Sequence, residues 1–425
     1  MSTGPTTSKR DNRTLCQRVR STKVLVEAWH AIRRNAETSQ TASTKEEAKK
    51  FGLHLPSNID RLQRRLLKGY EFSKAYGATP AKGAGKPGKR PIVIAPLEDR
   101  IVQRAILNVL QDAKDMPRVQ QVLATPTSIG GIRGRGVDDA IRLFDKCYAD
   151  GAKFVAGSDI SGFFTKISRP MVIAFIRQDT DEEPFLDLLD RALTVELSNA
   201  ASLSDEDRKL FPTGTDGVAQ GCPLSALAGN IVLAEFDQKM NAPGRGVTCI
   251  RYIDDFILTA ATSVKVRKAM ASAKAHLAGL GMGIYDPATD PKKAFCGPIG
   301  KPHIFLGYEI VPGQYRPSPT ACDALLGRVE VLLRDGRRTI ARVIAGKSIK
   351  PSDRCFAQTI AAVDNTVKGW RGSYRAALCN KTFARLDREI ERRIHDFETF
   401  FRTRTVKVGA DVRRRAMGIH LLEAG

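Results

Sequence analysis

Two adjacent carboxylates lie in the middle of an apolar segment of the chain. Residues 249–260, CIRYIDDFILTA, predict two short strands around a tight turn that carries Asp254 and Asp255. Neighbouring carboxylates repel each other, which raises the pKa of one of them or destabilises the turn unless a cation is bound. Mg²⁺ offsets such repulsion because it takes carboxylate oxygens together with substrate phosphates. An ordinary Asp-rich turn is the alternative that this motif alone leaves open.

A third carboxylate, Asp159, ends the predicted strand KFVAGSDI at residues 153–160. One carboxylate at a strand end and two at a neighbouring hairpin form the set needed to hold two metal ions. Two ions about 4 Å apart can clamp an in-line phosphoryl displacement. One ion would lower the pKa of a 3′-hydroxyl nucleophile, and the other would stabilise the leaving pyrophosphate.

Two glycine-containing segments are further candidates for substrate contact. QGCPLS at residues 220–225 precedes a predicted helix, and its glycine allows a backbone to approach a substrate closely, although a simple loop-to-helix turn is the alternative. GAGKPGKR at residues 83–90 resembles a phosphate-binding P-loop, but Arg90 stands where Ser or Thr is required and a strand follows instead of a helix. The alternative that this segment is a basic loop that contacts phosphate remains open.

The basic residues are concentrated in the two ends of the chain. The chain has 68 Lys and Arg against 46 Asp and Glu, a net charge of +22. Residues 1–120 carry +13, residues 121–320 carry −1, and residues 321–425 carry +10. Two basic flanks around a neutral centre suit a polyanion, most simply nucleic acid, with solvated basic surfaces as the alternative. The eight scattered cysteines form no CxxC pair, which predicts reduced thiols. The sequence contains neither an apolar run of membrane length nor an apolar leader, so membrane insertion and export are not expected.

The periodicity of apolar residues predicts a mixture of strands and helices. Helices are expected at 21–36, at 57–70 with Ser57 as N-cap, at 223–240, at 320–345 and at 355–403, whereas 303–311 is expected to be one strand. Residues 37–50 fit either a loop or an exposed helix. Trp29 and Trp370 are expected in the core, and an apolar stripe runs from Leu386 to Phe401. An α+β sheet backed by helices and followed by an all-α region is predicted.

Taken in order and spacing, DISGFF, QGCPLS and YIDD resemble the motifs of a reverse transcriptase. RPIVIAPLEDRIVQRAI and TSIGGIRGRGVDDAI resemble two fingers segments of bacterial members, and FLGY at 305–308 resembles the primer-grip strand. The resemblance covers about residues 55–310, with a weaker match to the helical thumb through NTVKGWRGSY. Two departures are Ala226, where the family usually has proline, and Cys222; neither touches the carboxylates.

The resemblance implies a right-hand polymerase with fingers, a palm built on an antiparallel sheet, and an all-α thumb. The expected divisions are a basic extension at 1–56, fingers at 57–150, a palm at 151–320 with a fingers insertion at about 166–219, a thumb at 321–405 and a basic tail at 406–425.

The family also implies a role for individual residues. Asp159 and Asp254 would bind two Mg²⁺ ions, with Mn²⁺ as an alternative, while Asp255 assists and the Ile160 carbonyl serves as a further ligand. Phe164 would lie under the sugar and exclude a 2′-hydroxyl, and Phe163 is the alternative if the register is shifted by one. The other nucleotide-binding residues would be Lys86, Arg90, Gln220, Gly221 and Lys293, and the nucleic-acid-binding residues Arg133, Arg135, Tyr252, Leu306 and Gly307.

The implied function is RNA-directed DNA synthesis in the bacterial cytoplasm, with dNTPs, a DNA primer and an RNA template or structured non-coding RNA, and without a membrane partner. Stand-alone relatives of group II intron enzymes, including those of antiphage defence and abortive infection, are the most similar group. Untemplated or protein-primed synthesis, a group II intron splicing cofactor, and assembly into a homo-oligomer stay open.

Overall fold

The structure is a computed structural model that describes residues 12–37, 42–82, 88–212, 214–350 and 352–419. Strands pair antiparallel in each of its sheets. The strands are β1 Tyr76–Ala78, β2 Ile92–Ile94, β3 Phe154–Ser161, β4 Val247–Tyr252, β5 Asp255–Ala260, β6 Gly283–Ile284, β7 Ala294–Pro298, β8 His303–Phe305, β9 Tyr308–Val311 and β10 Gln314–Pro317.

Helices cover the sheets and form the C-terminal region. They are α1 Leu15–Val19, α2 Thr22–Glu37, α3 Ala42–Leu53, α4 Leu55–Lys68, α5 Leu97–Asp112, α6 Pro117–Ala124, α7 Val137–Ala149, α8 Arg169–Arg177, α9 Glu183–Leu193, α10 Asp205–Arg208, α11 Ser225–Val232, α12 Ala234–Met240, α13 Ser263–Gly279, α14 Pro319–Ile344, α15 Phe356–Ser373, α16 Asn380–Thr405 and α17 Ala410–Met417, with 3₁₀ turns at Phe163–Lys166 and Ala200–Ser202.

A five-stranded sheet in the order β4-β5-β3-β6, with β7 also paired to β3, forms the centre of the molecule. Phe256 and Leu258 of β5 belong to one apolar cluster, which also contains residues of α5, α9 and α13. Ile257, on the opposite face, belongs to a second cluster with residues of α7 and the C-terminal helices. Both faces are therefore covered, which explains why β3 and β5 are apolar runs with little alternation.

Helices α1 and α2 pack on α5, and β1 and β2 form a separate two-stranded sheet. Trp29 of α2 is buried, as predicted for a core residue. The predicted N-cap is wrong: α4 begins at Leu55 after His54, so Ser57 lies within its first turn and its hydroxyl donates to the His54 carbonyl. Residues 37–50 were expected to form either a loop or an exposed helix, and the structure has a helix there, α3.

The long helix expected at 223–240 is two helices that begin at Ser225, not at Pro223. Leu233 separates them, with φ −93° and ψ 9°, outside the α-helical region. The strand expected at 303–311 is instead the hairpin β8–β9. Leu306 and Gly307 have φ of 51° and 81°, and a two-residue turn with positive φ at both positions reverses the chain.

Helices α14 to α17 form the all-α region. The helix expected at 355–403 is divided into α15 and α16 between Ser373 and Asn380. Leu386, Phe397 and Phe401 are buried on α16, so the predicted apolar stripe is confirmed, and Trp370 is buried. The expected tail contains α17, whose Ala416 is fully buried. Nothing in the structure tests the domain divisions given above, which stay predictions.

Two further findings concern the cysteines and the length of the helices. All eight cysteines are free. Among the helices of the described residues, none is both long and apolar enough to cross a bilayer.

Candidate active site

The register of the central sheet brings the three predicted carboxylates to one end of the sheet. Asp159 of β3 lies directly opposite Asp255 of β5, and Tyr252 of β4 lies opposite Asp255 on the other side. Directly opposed residues of antiparallel strands point to the same face. Ile253 and Asp254 form the turn, and the Ile160 amide donates to the Asp254 carbonyl at 2.8 Å. The predicted strand–turn–strand and its association with Asp159 are therefore confirmed.

The site opposes the ionisation of Asp254. Burial raises its pKa to about 6, and the negative charge of Asp159 raises it as well. Arg251 and Arg90 act in the opposite direction. In the part of the chain that the structure describes, no three Asp, Glu, His or Cys side chains form a ready-made metal cluster. The charge of Asp159 opposes the ionisation of Asp254, and a bound cation would reduce this repulsion.

A fully buried arginine supports the turn from behind. Arg251 has no exposed surface, and its Nε and Nη2 donate to the two carboxylate oxygens of Asp237 at 2.8 and 2.5 Å. Its Nη1 donates to the Ile253 carbonyl at 2.9 Å and to Asn230 Oδ1 at 3.0 Å, while Nη2 also donates to Ser128 Oγ at 2.8 Å. A paired and hydrogen-bonded charge can be buried at a tolerable cost. Arg251 therefore joins the turn to helices α11 and α12 and to Ser128.

The segment around Ser128 lies along the outer edge of β4. The Arg251 amide donates to the Thr127 carbonyl at 2.9 Å, and the Ile129 amide donates to the Arg251 carbonyl at 2.8 Å. Gly130 then lies against the turn: a Cβ at Gly130 would be 2.4 Å from Ile253 Cγ1. Ile253 itself has φ 61°, a left-handed conformation that is unfavourable for a β-branched residue. The contacts from Arg251 and Gly130 hold Ile253 in this conformation.

The predicted primer-grip turn contacts Asp255. The Leu306 amide donates to Asp255 Oδ2 at 3.4 Å. A Cβ at Gly307 would be 3.0 Å from the hydroxyl of Tyr374, the C-cap of α15, so this turn lies between the carboxylates and the C-terminal helices. Lys293 meets the site through its carbonyl, which accepts from the Asp159 amide at 3.3 Å, whereas its ammonium lies 3.7 Å from the Tyr285 ring centroid.

Residues 80–287, which contain β3, β4 and β5, match the family model described as reverse transcriptase (RNA-dependent DNA polymerase). The chain carries a reverse transcriptase domain. Its enzyme class is RNA-directed DNA polymerase, and the mixed helices and antiparallel sheet confirm the predicted right-hand polymerase fold.

Two curated proteins are similar in sequence to this chain. Protein YkfC of Escherichia coli (strain K12) is 27% identical over 315 residues, which are 62% of this chain and 78% of that protein. An uncharacterized 91 kDa protein in cob intron, from Schizosaccharomyces pombe, is 27% identical over 180 residues, 42% of this chain and 20% of that protein.

Solved structures resemble the chain more distantly. A partial Cas6-RT-Cas1–Cas2 complex matches at TM-score 0.35 and 21% identity, over 63% of this chain and 43% of that chain. Apo telomerase from Candida tropicalis, truncated from its C-terminal domain, matches at TM-score 0.38 and 11% identity, over 58% and 55%.

The two aromatic residues after Asp159 occupy different environments in the reverse transcriptase domain. Phe163 is 2% exposed and packs against Gly229 of α11, where an added Cβ would be 2.6 Å from its ring. Phe164 is only partly buried, with its ring centroid 5.3 Å from that of Phe163. Phe163 is thus a core residue, and Phe164 is the one of the two aromatic residues that remains partly accessible.

Strand β2 lies next to three of the predicted nucleotide-binding residues, Arg90, Gln220 and Gly221. The Val93 amide donates to the Gln220 carbonyl at 2.9 Å, and a Cβ at Gly221 would be 2.9 Å from the Val93 carbonyl oxygen, at a φ of 116° that favours glycine. Arg90 is exposed just before this strand, and its positive charge lowers the pKa of Asp254. Lys86 lies outside the described residues.

The two predicted nucleic-acid-binding arginines differ in their surroundings. Arg135 donates to the carbonyls of Thr125 and Ser128, so its guanidinium is used within the protein. Arg133 is exposed and forms an ion pair with Asp112 at 2.8 Å. Tyr252 is half-buried in β4 beside Asp255.

Sequence reasoning missed the Arg251 network. A charged residue inside the apolar strand Val247–Tyr252 was the available signal, because a buried charge requires partners. This signal does not identify Asp237, Asn230 or Ser128 as the partners of Arg251.

Proposed function

We propose that this reverse transcriptase adds dNTPs to the 3′-hydroxyl of a DNA primer on an RNA template, by phosphoryl transfer assisted by two Mg²⁺ ions. The observation that carries the proposal is the register of β3 and β5, in which Asp159 and Asp255 are direct partners and Asp254 lies in the adjoining turn. Burial and the charge of Asp159 both raise the pKa of Asp254, which supports a cation there, because a bound cation would favour the ionised carboxylate.

The donor chemistry fits hard divalent cations. Asp159 and Asp254 would supply carboxylate oxygens and Ile160 its carbonyl, with Asp255 as an assisting carboxylate. When bound, the ions lower the pKa of the attacking hydroxyl and neutralise the leaving pyrophosphate. The chain's own residues orient this set: Arg251 holds the carbonyl of the residue before Asp254, and the Leu306 amide holds Asp255.

The remaining residues would select and position the nucleotide. Arg90 is an exposed cation near the carboxylates and would contact the triphosphate. Gln220 and Gly221 would line the pocket for the base pair beside β2. The accessible ring of Phe164 would lie under the sugar, where it would clash with a 2′-hydroxyl and favour dNTPs.

Primer extension by the purified protein tests the polymerase proposal. With Mg²⁺, dNTPs and an RNA template annealed to a DNA primer, we expect extended product from the wild type and none from Asp254→Asn. Asp150→Asn, which changes an exposed carboxylate after α7, should leave synthesis unchanged. Equal activity of Asp254→Asn and wild type would refute the metal assignment, and product in the absence of RNA would favour untemplated or protein-primed synthesis.

We further propose a dedicated non-coding RNA partner and a role in antiphage defence, supported by the resemblance to stand-alone bacterial reverse transcriptases. Phage plating on bacteria that express the wild type or Asp254→Asn tests this role. Protection that is lost in Asp254→Asn is expected, and equal plating on both strains would refute it. Sequencing the RNA that co-purifies with the protein identifies the template.

A splicing cofactor is the second candidate, because one relative is named for its location in a cob intron. Intron RNA among the co-purified molecules, together with splicing that persists in Asp254→Asn, would favour it.

A further inference from the structure

The β1–β2 hairpin is bordered on its β1 side by residues 195–211, here termed the supporting segment, which follow α9 and include α10. The Ala75 amide donates to the Glu196 carbonyl and the Ser198 amide donates to the Ala75 carbonyl, both at 2.8 Å. On the other side of the hairpin, β2 pairs in parallel with Gln220. The hairpin therefore lies between the supporting segment and the residues of the proposed nucleotide pocket.

One side chain of the supporting segment binds the backbone of β1 at two points. Asn199 Oδ1 accepts from the Gly77 amide at 2.8 Å, and Asn199 Nδ2 donates to the Gly77 carbonyl at 2.9 Å. A Cβ at Gly77 would be 3.0 Å from both Leu197 Cδ1 and Phe211 Cζ, so no side chain fits between β1 and the supporting segment. The amide of Asn199 thus takes the place of a neighbouring strand, because it satisfies both backbone groups of Gly77.

A carboxylate on α10 binds both arms of the hairpin next to Arg90. Lys89 Nζ donates to the two oxygens of Asp207 at 2.7 and 2.8 Å, and Thr79 Oγ1 donates to Asp207 Oδ2 at 3.3 Å. Lys89 immediately precedes Arg90. Thr79 immediately precedes Pro80, whose carbonyl accepts from the Arg90 amide at 2.9 Å. Asp207 therefore joins the two arms one residue before the hydrogen bond that fixes the backbone of Arg90.

The two adjacent cations of this arm have different surroundings. The carboxylate of Asp207 is 16% exposed, and the hydrogen bond from Lys89 lowers its pKa, so Asp207 is ionised at neutral pH and Lys89 balances its charge. Arg90 is exposed, and its positive charge lowers the pKa of Asp254. Lys89 thus serves the attachment to the supporting segment, whereas Arg90 acts toward the carboxylates of the site.

We propose that Asn199 and Asp207 are positioning residues for Arg90, through which the supporting segment sets the affinity for the incoming dNTP. The inference rests on the proposed function, in which Arg90 contacts the triphosphate. A hairpin that is already held in place removes the entropy cost of ordering a flexible arm when the substrate binds, and substrate binding is tighter as a result. Neither positioning residue contacts the nucleotide itself.

Hydrogen exchange in the full-length protein tests the attachment without requiring catalysis. In Asp207→Ala and in Asn199→Ala, we expect the Arg90 amide to exchange at least about tenfold faster than in the wild type, because a hairpin that is no longer held opens more often. Asp205→Ala is the matched control, since it removes a carboxylate that is 86% exposed on the same helix. It should leave the exchange of the Arg90 amide unchanged.

Primer-extension kinetics then test the positioning role. In Asp207→Ala and in Asn199→Ala, the KM for dNTP should rise about fivefold or more with kcat nearly unchanged, because the lost interaction acts equally on the bound substrate and the transition state. Asp207→Glu, which keeps the charge, should recover part of this loss. Asp207→Ala should add little to the effect of Arg90→Gln, because a positioning residue acts through the group that it positions.

Unchanged exchange of the Arg90 amide in both alanine variants would overturn the inference, as would a KM effect of Asp207→Ala that persists in full beside Arg90→Gln. A wild-type KM in Arg90→Gln would refute the contact between Arg90 and the triphosphate, and the positioning role with it. Faster exchange in the variants of a protein whose wild type extends no primer would instead refute the polymerase function and support the attachment of the hairpin.

Discussion

Replacing Asp254 by asparagine should make the metal-free protein more stable while it abolishes synthesis. Burial and the charge of Asp159 raise the pKa of Asp254 from 3.8 to about 6. A shift of roughly two pKa units corresponds to about 3 kcal/mol between the ionised and neutral forms. The folded state pays this cost whenever Asp254 is ionised, and asparagine, of nearly the same shape, removes it.

The sign of the pH dependence follows from the raised pKa. The folded state binds the Asp254 proton more tightly than the unfolded state, so the cost is complete above about pH 6 and disappears as the pH falls toward 3.8. The stability of the wild type relative to Asp254→Asn should therefore increase as the pH falls from about 6 to 3.8.

Denaturant unfolding in EDTA at pH 7.5 and at pH 4 measures the difference. Asp254→Asn should be more stable by up to about 3 kcal/mol at pH 7.5, and the two proteins should be nearly equal at pH 4. Mg²⁺ at ten times its Kd should stabilise the wild type by about 1.4 kcal/mol and the variant by less. If Asp254→Asn were equally or less stable at pH 7.5 in EDTA, the electrostatic description of the site would be wrong.

Three further substitutions test other parts of the site. Asp237→Ala leaves Arg251 as an unpaired buried charge and should cost about 3–5 kcal/mol in denaturant unfolding. Gly130→Ala would force a methyl group against Ile253 and should cost about 1–3 kcal/mol, with lower kcat in primer extension. Phe164→Ala should reduce the preference for a dNTP over its matching rNTP by about tenfold or more in kcat/KM.

Matched controls accompany these substitutions. Gly327→Ala adds a methyl group within α14, where nothing lies within 4 Å, and should be neutral or slightly stabilising. Asp150→Asn should leave unfolding unchanged, in contrast to Asp237→Ala. An unchanged dNTP preference in Phe164→Ala would contradict the role of this ring, and a cost in Gly327→Ala equal to that in Gly130→Ala would show that the contact with Ile253 is unimportant.

Local features of the sequence were sufficient for the strands that carry the carboxylates. The hairpin of β4 and β5 is short, apolar and closed by a two-residue turn, and those properties depend on residues within one segment. The break at Leu233 was missed because neither proline nor glycine marks it and the apolar pattern continues across it. The turn at Leu306 was missed because leucine is unusual at a positive φ.

The Arg251 network could not be predicted because its partners are far apart along the chain. Ser128, Asn230 and Asp237 are 123, 21 and 14 residues from Arg251. A single sequence shows that a buried arginine needs acceptors, but the folded sheet determines which residues supply them.

The same network sets a rule for recombining this enzyme with its relatives. The acceptors of Arg251 come from Ser128, from helices α11 and α12 and from the turn that precedes Asp254, so they must be inherited together. A chimera that exchanges the predicted fingers as a block ending near residue 150 would separate Ser128 from the rest. Crossovers placed before residue 127 would keep the set in one parent, and residues 127–131 would then be inherited with the predicted palm, although they precede it in the chain.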